Sequence, residues 1–468
     1  MANFWDFRVW GLVNLVAVLL FALVIANILK RYFKVLRDSL IPTSVLGGFI
    51  ILFCGIIFKA CTGINIYETV FFGFDTSLGE NQFTGNDFLE LLTYHSLALG
   101  FISMTFKSSK QKISKQRNIE IFNTGVTTVS TYLLQAILGL GITMGFALII
   151  RNLIPAAGIL LPFGYGQGTG QALNYGSIYE SDYGFNGGRN FGLTIAAMGF
   201  LSASIGGVLH MNLLRFKGKL PEHTHQNTVE IKTPDSDAAD KFMNGGLETI
   251  TMQFAAIFVT YALTYLIIWG LGNLLTGFRS VLYGFNFLIG VLVTILIKNI
   301  LRKLRSTPLA KYDYIDSELM DKLGSFFFDL MIVAGIAAIR IELLTEYWYV
   351  LLILGIVGAL STYFYNRMVA KVLFKDYAEE QFLVMYGMLT GTASTGVILL
   401  KEVDRQFDTP AADNLVYQNF PAIVFGFPMM LLATLAPKEP VLTLGILAGF
   451  FLIMNFILFR NKIFKKKA

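Results

Sequence analysis

The sequence has 468 residues, of which 54% are hydrophobic and only 15% charged, with a mean hydropathy of +0.60. Soluble globular proteins carry about 25% charged residues, and the apolar segments here extend over the whole length, so a separate soluble enzyme domain is excluded. The net charge of +6 comes from basic residues in short loops between apolar segments, which is not the pattern of a nucleic-acid-binding surface.

A helix needs about 20 apolar residues to cross a bilayer. The hydropathy pattern predicts membrane spans near residues 10–29, 40–58, 88–106, 121–150, 191–213, 249–274, 280–297, 323–343, 346–366, 415–435 and 440–459. Two further stretches, 157–178 and 380–400, are apolar but interrupted by Gly, Thr and Ser. Neither of the two has the pattern of a continuous span.

The distribution of Lys and Arg predicts the orientation, because short basic loops stay on the cytoplasmic side. Basic loops follow the first, third, fifth, seventh and ninth spans, and the tail is basic as well, whereas 60–87 contains acidic residues and no basic one. This alternation predicts a multi-pass protein of the plasma (inner) membrane with its N-terminus outside and its C-terminus in the cytoplasm. It also requires 157–178 to enter and leave from outside, and 380–400 from inside.

The two interrupted stretches share a motif. Tyr165–Ala172 reads YGQGTGQA and Tyr386–Ala393 reads YGMLTGTA, so Tyr, Gly, Thr, Gly and Ala agree without gaps. Each stretch follows the fourth span of its half and precedes the fifth. We therefore predict an all-α polytopic membrane protein with two inverted-topology repeats of five transmembrane helices and a re-entrant loop between the fourth and fifth helix of each. The predicted bounds are 1–213 and 249–435 for the repeats, 214–248 for a cytoplasmic linker, and 436–468 for an additional C-terminal transmembrane helix and basic tail.

Residues of these loops are the candidate binding residues. Non-helical backbone at membrane depth is tolerated where protein buries it or where it lines a cavity. Glycines let a ligand approach the main chain, hydroxyl groups add donors and acceptors, half-helix N-termini attract anions, and freed carbonyls coordinate Na⁺. The candidate substrate-binding residues are Gly166, Gln167, Gly168, Thr169, Gly170, Gln171 and Asn174 of the first loop, and Thr390, Gly391, Thr392, Ser394 and Thr395 of the second. The residue types do not decide which loop binds substrate and which binds ions.

Two charged residues inside predicted spans are further candidates, since ionisable groups at membrane depth are costly. Asp329 is either a Na⁺ ligand or the structural partner of an amide, and it joins Thr169, Gly391 and Ser202 as a candidate Na⁺ ligand. Arg340 either attracts the substrate carboxylate or extends its side chain to the membrane surface.

Several segments resemble those of a known family. IPTSVLGGF (Ile41–Phe49), FGYGQGTGQA (Phe163–Ala172), YGMLTGTASTG (Tyr386–Gly396) and the long stretch Gly184–Gly207 are similar to segments of the glutamate:sodium symporter family. The resemblance implies Na⁺-driven glutamate uptake by elevator-type alternating access in a homodimer. It implies no enzymatic activity, and no cofactor besides Na⁺ as the coupling ion.

Three other functional interpretations stay open at this point. The same scaffold could carry another small carboxylate or amino acid. An intramembrane aspartyl protease needs two opposed membrane aspartates, and only Asp329 is central in its span. A channel is the third alternative, although two oppositely entering loops suit alternating access better than an open pore.

Overall fold

The computed structural model describes residues 4–5, 7–72, 84–106, 115–218, 249–304, 315–404 and 408–463, and the regular structure within these ranges is helical throughout. The predicted all-α class is therefore confirmed. Residues 219–248 of the predicted linker lie outside the described part of the chain, and so do residues 464–468 of the predicted basic tail.

The helices before the predicted linker are α1 (Phe7–Tyr32), α2 (Lys34–Asp38), α3 (Thr43–Thr62), α4 (Gly85–Phe106), α5 (Lys115–Ala147), α6 (Leu160–Tyr183) and α7 (Gly188–Phe216). The helices after it are α8 (Thr249–Leu274), α9 (Arg279–Gly284), α10 (Asn286–Leu304), α11 (Ser317–Ala337), α12 (Trp348–Leu373), α13 (Ala378–Thr390), α14 (Ala393–Val403), α15 (Ala411–Tyr417), α16 (Asn419–Leu435) and α17 (Pro440–Ile463).

Seven of the described helices are long and apolar enough to cross a membrane, and up to nine spans result if each of two bent helix pairs is one span. The predicted spans near 88–106 and 323–343 correspond to helices α4 and α11, which are not among the seven. Charged side chains such as Glu90 in α4 and Asp329 in α11 lower the mean hydropathy of these two helices. The multi-pass character is confirmed, whereas the count of eleven spans stays a prediction.

Two predicted spans are bent. In place of a continuous span at 280–297, residues Thr276–Gly284 and Asn286–Leu304 form two segments at 76°. The Asn286 side chain accepts a hydrogen bond from the backbone N–H of Phe287 at 2.6 Å, and such local bonds compete with helix continuation. At 415–435, residues Ala411–Tyr417 and Pro421–Leu435 meet at 52°, where Pro421 lacks the N–H that a continuous helix needs.

The chain divides into two compact units. The first comprises Met1–Tyr94, Lys112–His210 and Leu330–Ala468, and the second comprises His95–Gln111 and Met211–Asp329. Each unit contains residues of both predicted halves, 1–213 and 249–435. The compact units are thus not the predicted repeats, whose bounds stay a prediction.

Each unit has its own core. The second unit buries the cluster Leu99, Ile102, Phe106, Ile257, Met320 and Phe327. The first unit buries large aromatic side chains, among them Tyr175 and Tyr179 of α6. Their hydroxyl groups donate to the carbonyl oxygens of Met430 at 2.9 Å and Ala433 at 2.6 Å. These bonds satisfy the buried hydroxyl groups and attach α6 to α16.

Candidate functional site: two broken helical segments

The first predicted loop contains a break in helix α6. Gly168 has φ 80° and ψ −171°, a conformation that only glycine adopts readily. The helical segment that restarts at Thr169 begins with backbone N–H groups that have no intrahelical acceptor. Gly168, Thr169, Gly170 and Gln171 are all buried, so this helix start lies inside the protein.

Gln171 is the most unusual side chain at the first break. It is 1% exposed, and neither its Nε2 nor its Oε1 atom has a hydrogen-bond partner among the described residues. A buried polar group without a partner costs about 1–3 kcal/mol. An amide kept in this state is suited to a polar ligand that supplies the missing bonds.

The other candidates of the first loop differ in their surroundings. The Thr169 hydroxyl donates to the carbonyl oxygen of Met331 at 3.2 Å, which attaches the break to helix α11. The Gly166 carbonyl accepts a bond from the Tyr132 hydroxyl at 3.0 Å. Asn174 is 4% exposed, whereas Gln167 is half-buried.

The second predicted loop consists of helices α13 and α14, separated by Gly391 and Thr392. The Thr392 side chain accepts the backbone N–H of Thr395 at 3.3 Å and so caps helix α14. The Thr390 hydroxyl donates to the carbonyl oxygen of Tyr386 at 2.6 Å, within helix α13. Thr390 and Thr395 are fully buried, while Ser394 is exposed.

Tyr377 lies just before α13 and outside the predicted spans. It fixes the start of the second broken segment. Burial raises the pKa of its hydroxyl well above the usual range, and the nearby Glu120 carboxylate raises it further. The hydroxyl therefore stays protonated and donates to Glu120 of α5 at 2.8 Å, while the Asn414 amide donates to it at 3.0 Å. Helix α13 is thereby fixed to α5 at its first turn.

Helix α5 contacts both breaks through two side chains three residues apart. The Tyr132 hydroxyl bonds the Gly166 carbonyl, and the Gln135 amide nitrogen donates to the Leu389 carbonyl at 3.0 Å. Residues at this spacing share one face of a helix. The same stretch of α5 therefore lies beside both broken segments.

Helix α7 is the second element that contacts both segments. A Cβ atom at Gly199 would lie 2.5 Å from the carbonyl oxygen of Thr390 and 3.2 Å from the Cα atom of Tyr165. Only glycine allows backbone to approach this closely. The two segments thus pack against neighbouring positions of one helix.

The repeated tyrosines both contact Ser202 of α7. The Tyr165 hydroxyl lies 3.0 Å from Ser202 Oγ and donates to the carbonyl oxygen of Gly355 at 2.6 Å, while the Tyr386 hydroxyl donates to the Ser202 carbonyl at 2.9 Å. The Ser202 hydroxyl itself donates to the Met198 carbonyl at 2.8 Å. Ser202 thus has a structural task at this junction, and its role as a Na⁺ ligand stays a prediction.

The two charged candidates have other environments. Asp329 belongs to the second compact unit and is exposed, whereas Thr169, Ser202 and Gly391 belong to the first. The backbone N–H of Arg340 donates to Asn190 Oδ1 at 2.6 Å, and its guanidinium lies 3.4 Å from the buried Glu90 carboxylate, which Arg189 also contacts at 2.8 Å.

Arg340 also lines a cavity of about 690 Å³. Further lining residues are Lys59, Asn65, Glu68, Asn86 and Glu342. Arg340 is half-buried, and the Glu90 carboxylate neutralises its charge in part. Arg340 is therefore part of an ionic network and is not a free cation.

Sequence reasoning missed Tyr132 and Gln135. Both lie in the predicted span 121–150, and a glutamine in an apolar helix is a signal for a functional residue. Which loop these side chains contact depends on long-range packing, which one sequence does not reveal.

The comparisons with known proteins concern most of the chain. The family model described as "Sodium/glutamate symporter" matches residues 11–409, a range that includes both broken segments. No curated protein and no solved structure matches the chain. Because the family match extends over far more than half of the sequence, the chain belongs to the sodium/glutamate symporter family and is a Na⁺-coupled glutamate transporter, not an enzyme.

Proposed function

We propose that the two broken segments of this transporter form one binding site for glutamate and Na⁺. The observation that carries the proposal is the buried Gln171 amide, which has no partner among the described residues and follows the break at Gly168. Its Nε2 group can donate to a substrate carboxylate, and the N-terminal end of the half-helix that follows Gly168 favours an anion there.

The two segments differ in the groups they offer. In the first, the Gln171 amide and the helix start provide donors, which suit the carboxylates of glutamate. In the second, the Thr392 side chain already occupies the Thr395 N–H, so backbone carbonyls near Gly391 are the groups left for Na⁺. Gly166, Gln167, Gly170 and Asn174 line the carboxylate side in this proposal, and Thr390, Ser394 and Thr395 accompany the carbonyls. Thr169 is a candidate for both the carboxylate side and the Na⁺ side of the proposed site.

The proposed architecture is a pair of inverted repeats, 1–213 and 249–435, with 157–178 and 380–400 as re-entrant loops, 214–248 as the linker and 436–468 as an appended helix. The shared YGxxTGxA motif supports it, as does the occurrence of a helix break within three residues of the same motif position in both segments. The alternation of basic loops supports an N-terminus outside and a C-terminus in the cytoplasm.

Elevator-type alternating access in a homodimer is the mechanism we propose. One compact unit contains both broken segments, which is what a substrate-carrying domain requires. Moving one elementary charge through the membrane potential changes its free energy by about 2.3 kcal/mol per 100 mV. Glutamate with one Na⁺ is electroneutral, so each further Na⁺ adds the voltage as a driving force. Arg340 and Asp329 stay candidates for substrate attraction and Na⁺ binding respectively.

Uptake of labelled glutamate into proteoliposomes with an imposed Na⁺ gradient tests the site. Gln171→Met should raise the glutamate KM more than tenfold, because a carboxylate donor is lost. The same variant should unfold at an equal or higher temperature in the absence of substrate, since it removes an unpaired buried amide.

Gln253→Met is the matched control. Gln253 is also a buried glutamine, but its Nε2 donates to the Thr249 carbonyl and its Oε1 accepts the Asp316 N–H. This variant should lose stability and keep the glutamate KM. A Gln171→Met transporter with a wild-type KM would rule out the proposed carboxylate site.

A further inference from the structure

The amide orientation of Gln135 in α5 is fixed by its neighbours. A carbonyl oxygen only accepts hydrogen bonds, so the atom 3.0 Å from the Leu389 carbonyl oxygen must be Nε2. The same Nε2 lies 2.7 Å from Thr362 Oγ1, which uses its second hydrogen. The Oε1 atom therefore points away from these two partners.

The Oε1 atom of Gln135 is a buried acceptor. The residue is 0% exposed, and no described residue donates a hydrogen bond to this oxygen. The amide is thus satisfied at its nitrogen and unsatisfied at its oxygen, unlike that of Gln253, which is paired at both ends. An acceptor held in a fixed direction without a donor is ready to bind a positive ligand.

The position of this oxygen connects it with the second break. The Leu389 carbonyl that Gln135 contacts comes directly before Thr390 and Gly391, where helix α13 ends. Carbonyl and amide oxygens are the ligands that hard cations such as Na⁺ prefer, and they also accept hydrogen bonds from an ammonium group.

We propose that Gln135 Oε1 is a cation ligand of the transport site. Its ligand is a cation that approaches the second break, either Na⁺ or the α-ammonium group of glutamate. The inference rests on the proposed site at the broken segments, and it adds to that site a residue from helix α5. In this role the Nε2 bond to the Leu389 carbonyl aims the oxygen.

Two transport measurements on the full-length protein in proteoliposomes distinguish the two cations. The first is the Na⁺ concentration for half-maximal glutamate uptake. The second is the ratio of the inhibition constants of glutamate and glutarate, which lacks the α-amino group. If the ligand is Na⁺, Gln135→Met raises the half-maximal Na⁺ concentration at least tenfold and keeps the ratio. If it is the ammonium group, the preference for glutamate over glutarate falls at least tenfold and the Na⁺ dependence is kept.

Two further variants separate the acceptor from the donor of the amide. Thr362→Val removes one partner of Nε2 and leaves Oε1 in place, so we expect less than a twofold change in both quantities. Gln135→Glu keeps an oxygen at this position and adds a negative charge, so it should bind the cation better than Gln135→Met does. Thermal unfolding in Na⁺ and in K⁺ provides a readout that does not depend on transport.

The inference is overturned if Gln135→Met leaves both quantities unchanged, or if Gln135→Glu and Thr362→Val are as impaired as Gln135→Met, since the donor would then be the important group. The outcome is separable from that of the proposed carboxylate site. If Gln171→Met transports normally and Gln135→Met is impaired, only the carboxylate site is contradicted. If Gln135→Met transports normally and Gln171→Met is impaired, only the Gln135 inference is contradicted.

Discussion

The two broken segments share a motif but end their helices differently. In the first, a single residue of positive φ, Gly168, interrupts α6, and the buried amide of Gln171 follows without a partner. In the second, Gly391 and Thr392 separate two helices, and Thr392 caps the new helix with its own side chain. The first segment thus leaves a side-chain amide for a ligand, whereas the second satisfies one N–H of its helix start with its own side chain. Similar glycine-rich sequences can serve different ligands, depending on which polar groups the fold leaves unsatisfied.

The largest effect that we expect comes from Gly168→Ala. A Cβ atom at this position would meet only Met331 Cε at 3.7 Å, so the cost is backbone strain of about 1–3 kcal/mol and not crowding. Relief of this strain would move the half-helix and should lower glutamate uptake more than tenfold, together with the melting temperature in detergent.

Gly391→Ala is the comparison for that variant. Gly391 has φ −138°, which other residues adopt, but a Cβ atom would lie 3.0 Å from the Gly387 carbonyl oxygen and from Thr395 Oγ1. The free-energy cost of Gly391→Ala therefore depends on how far these two neighbouring atoms can shift, and we expect a weaker effect on uptake than for Gly168→Ala. A stronger effect of Gly391→Ala than of Gly168→Ala would reverse the contrast between the segments.

An intermediate effect should come from the repeated tyrosines. Tyr165→Phe loses the bond to the Gly355 carbonyl and the Ser202 Oγ contact, while Tyr386→Phe loses only the bond to the Ser202 carbonyl. A hydrogen bond of this kind contributes about 0.5–1.5 kcal/mol to the free energy of unfolding. Thermal unfolding should show a larger loss for Tyr165→Phe, and equal losses would mean that the Ser202 Oγ contact adds nothing.

The smallest effect should come from Thr392→Val, which removes the cap of helix α14. Loss of an N-cap costs about 1 kcal/mol, and the 3.3 Å bond here suggests the lower part of the usual range. Thr392→Ser keeps the hydroxyl and should behave as the wild type in thermal unfolding. If the valine variant is as stable as the serine variant, the second segment does not depend on its own cap.

Hydropathy and motif reasoning predict part of this structure. The predicted bounds 249–274 coincide with helix α8, because an uninterrupted apolar run defines a span on its own. The bend after Gly284 escaped prediction, since the local bond of Asn286 leaves no mark on hydropathy. The motif located both breaks, but which glycine takes a positive φ depends on packing against α5, α7 and α11. The contacts of Gln135 escaped prediction for the same reason.

The junction at Ser202 has a practical consequence. Tyr165, Ser202 and Tyr386 belong to α6, α7 and α13; the Tyr386 hydroxyl donates to the Ser202 carbonyl, and the Tyr165 hydroxyl contacts Ser202 Oγ at 3.0 Å. We expect segments in contact in this way to move together, with constant distances among them through the transport cycle. Pairs of spectroscopic labels on α6, α7 and α13 would therefore supply an internal ruler of fixed length, against which movements elsewhere in the transporter can be measured.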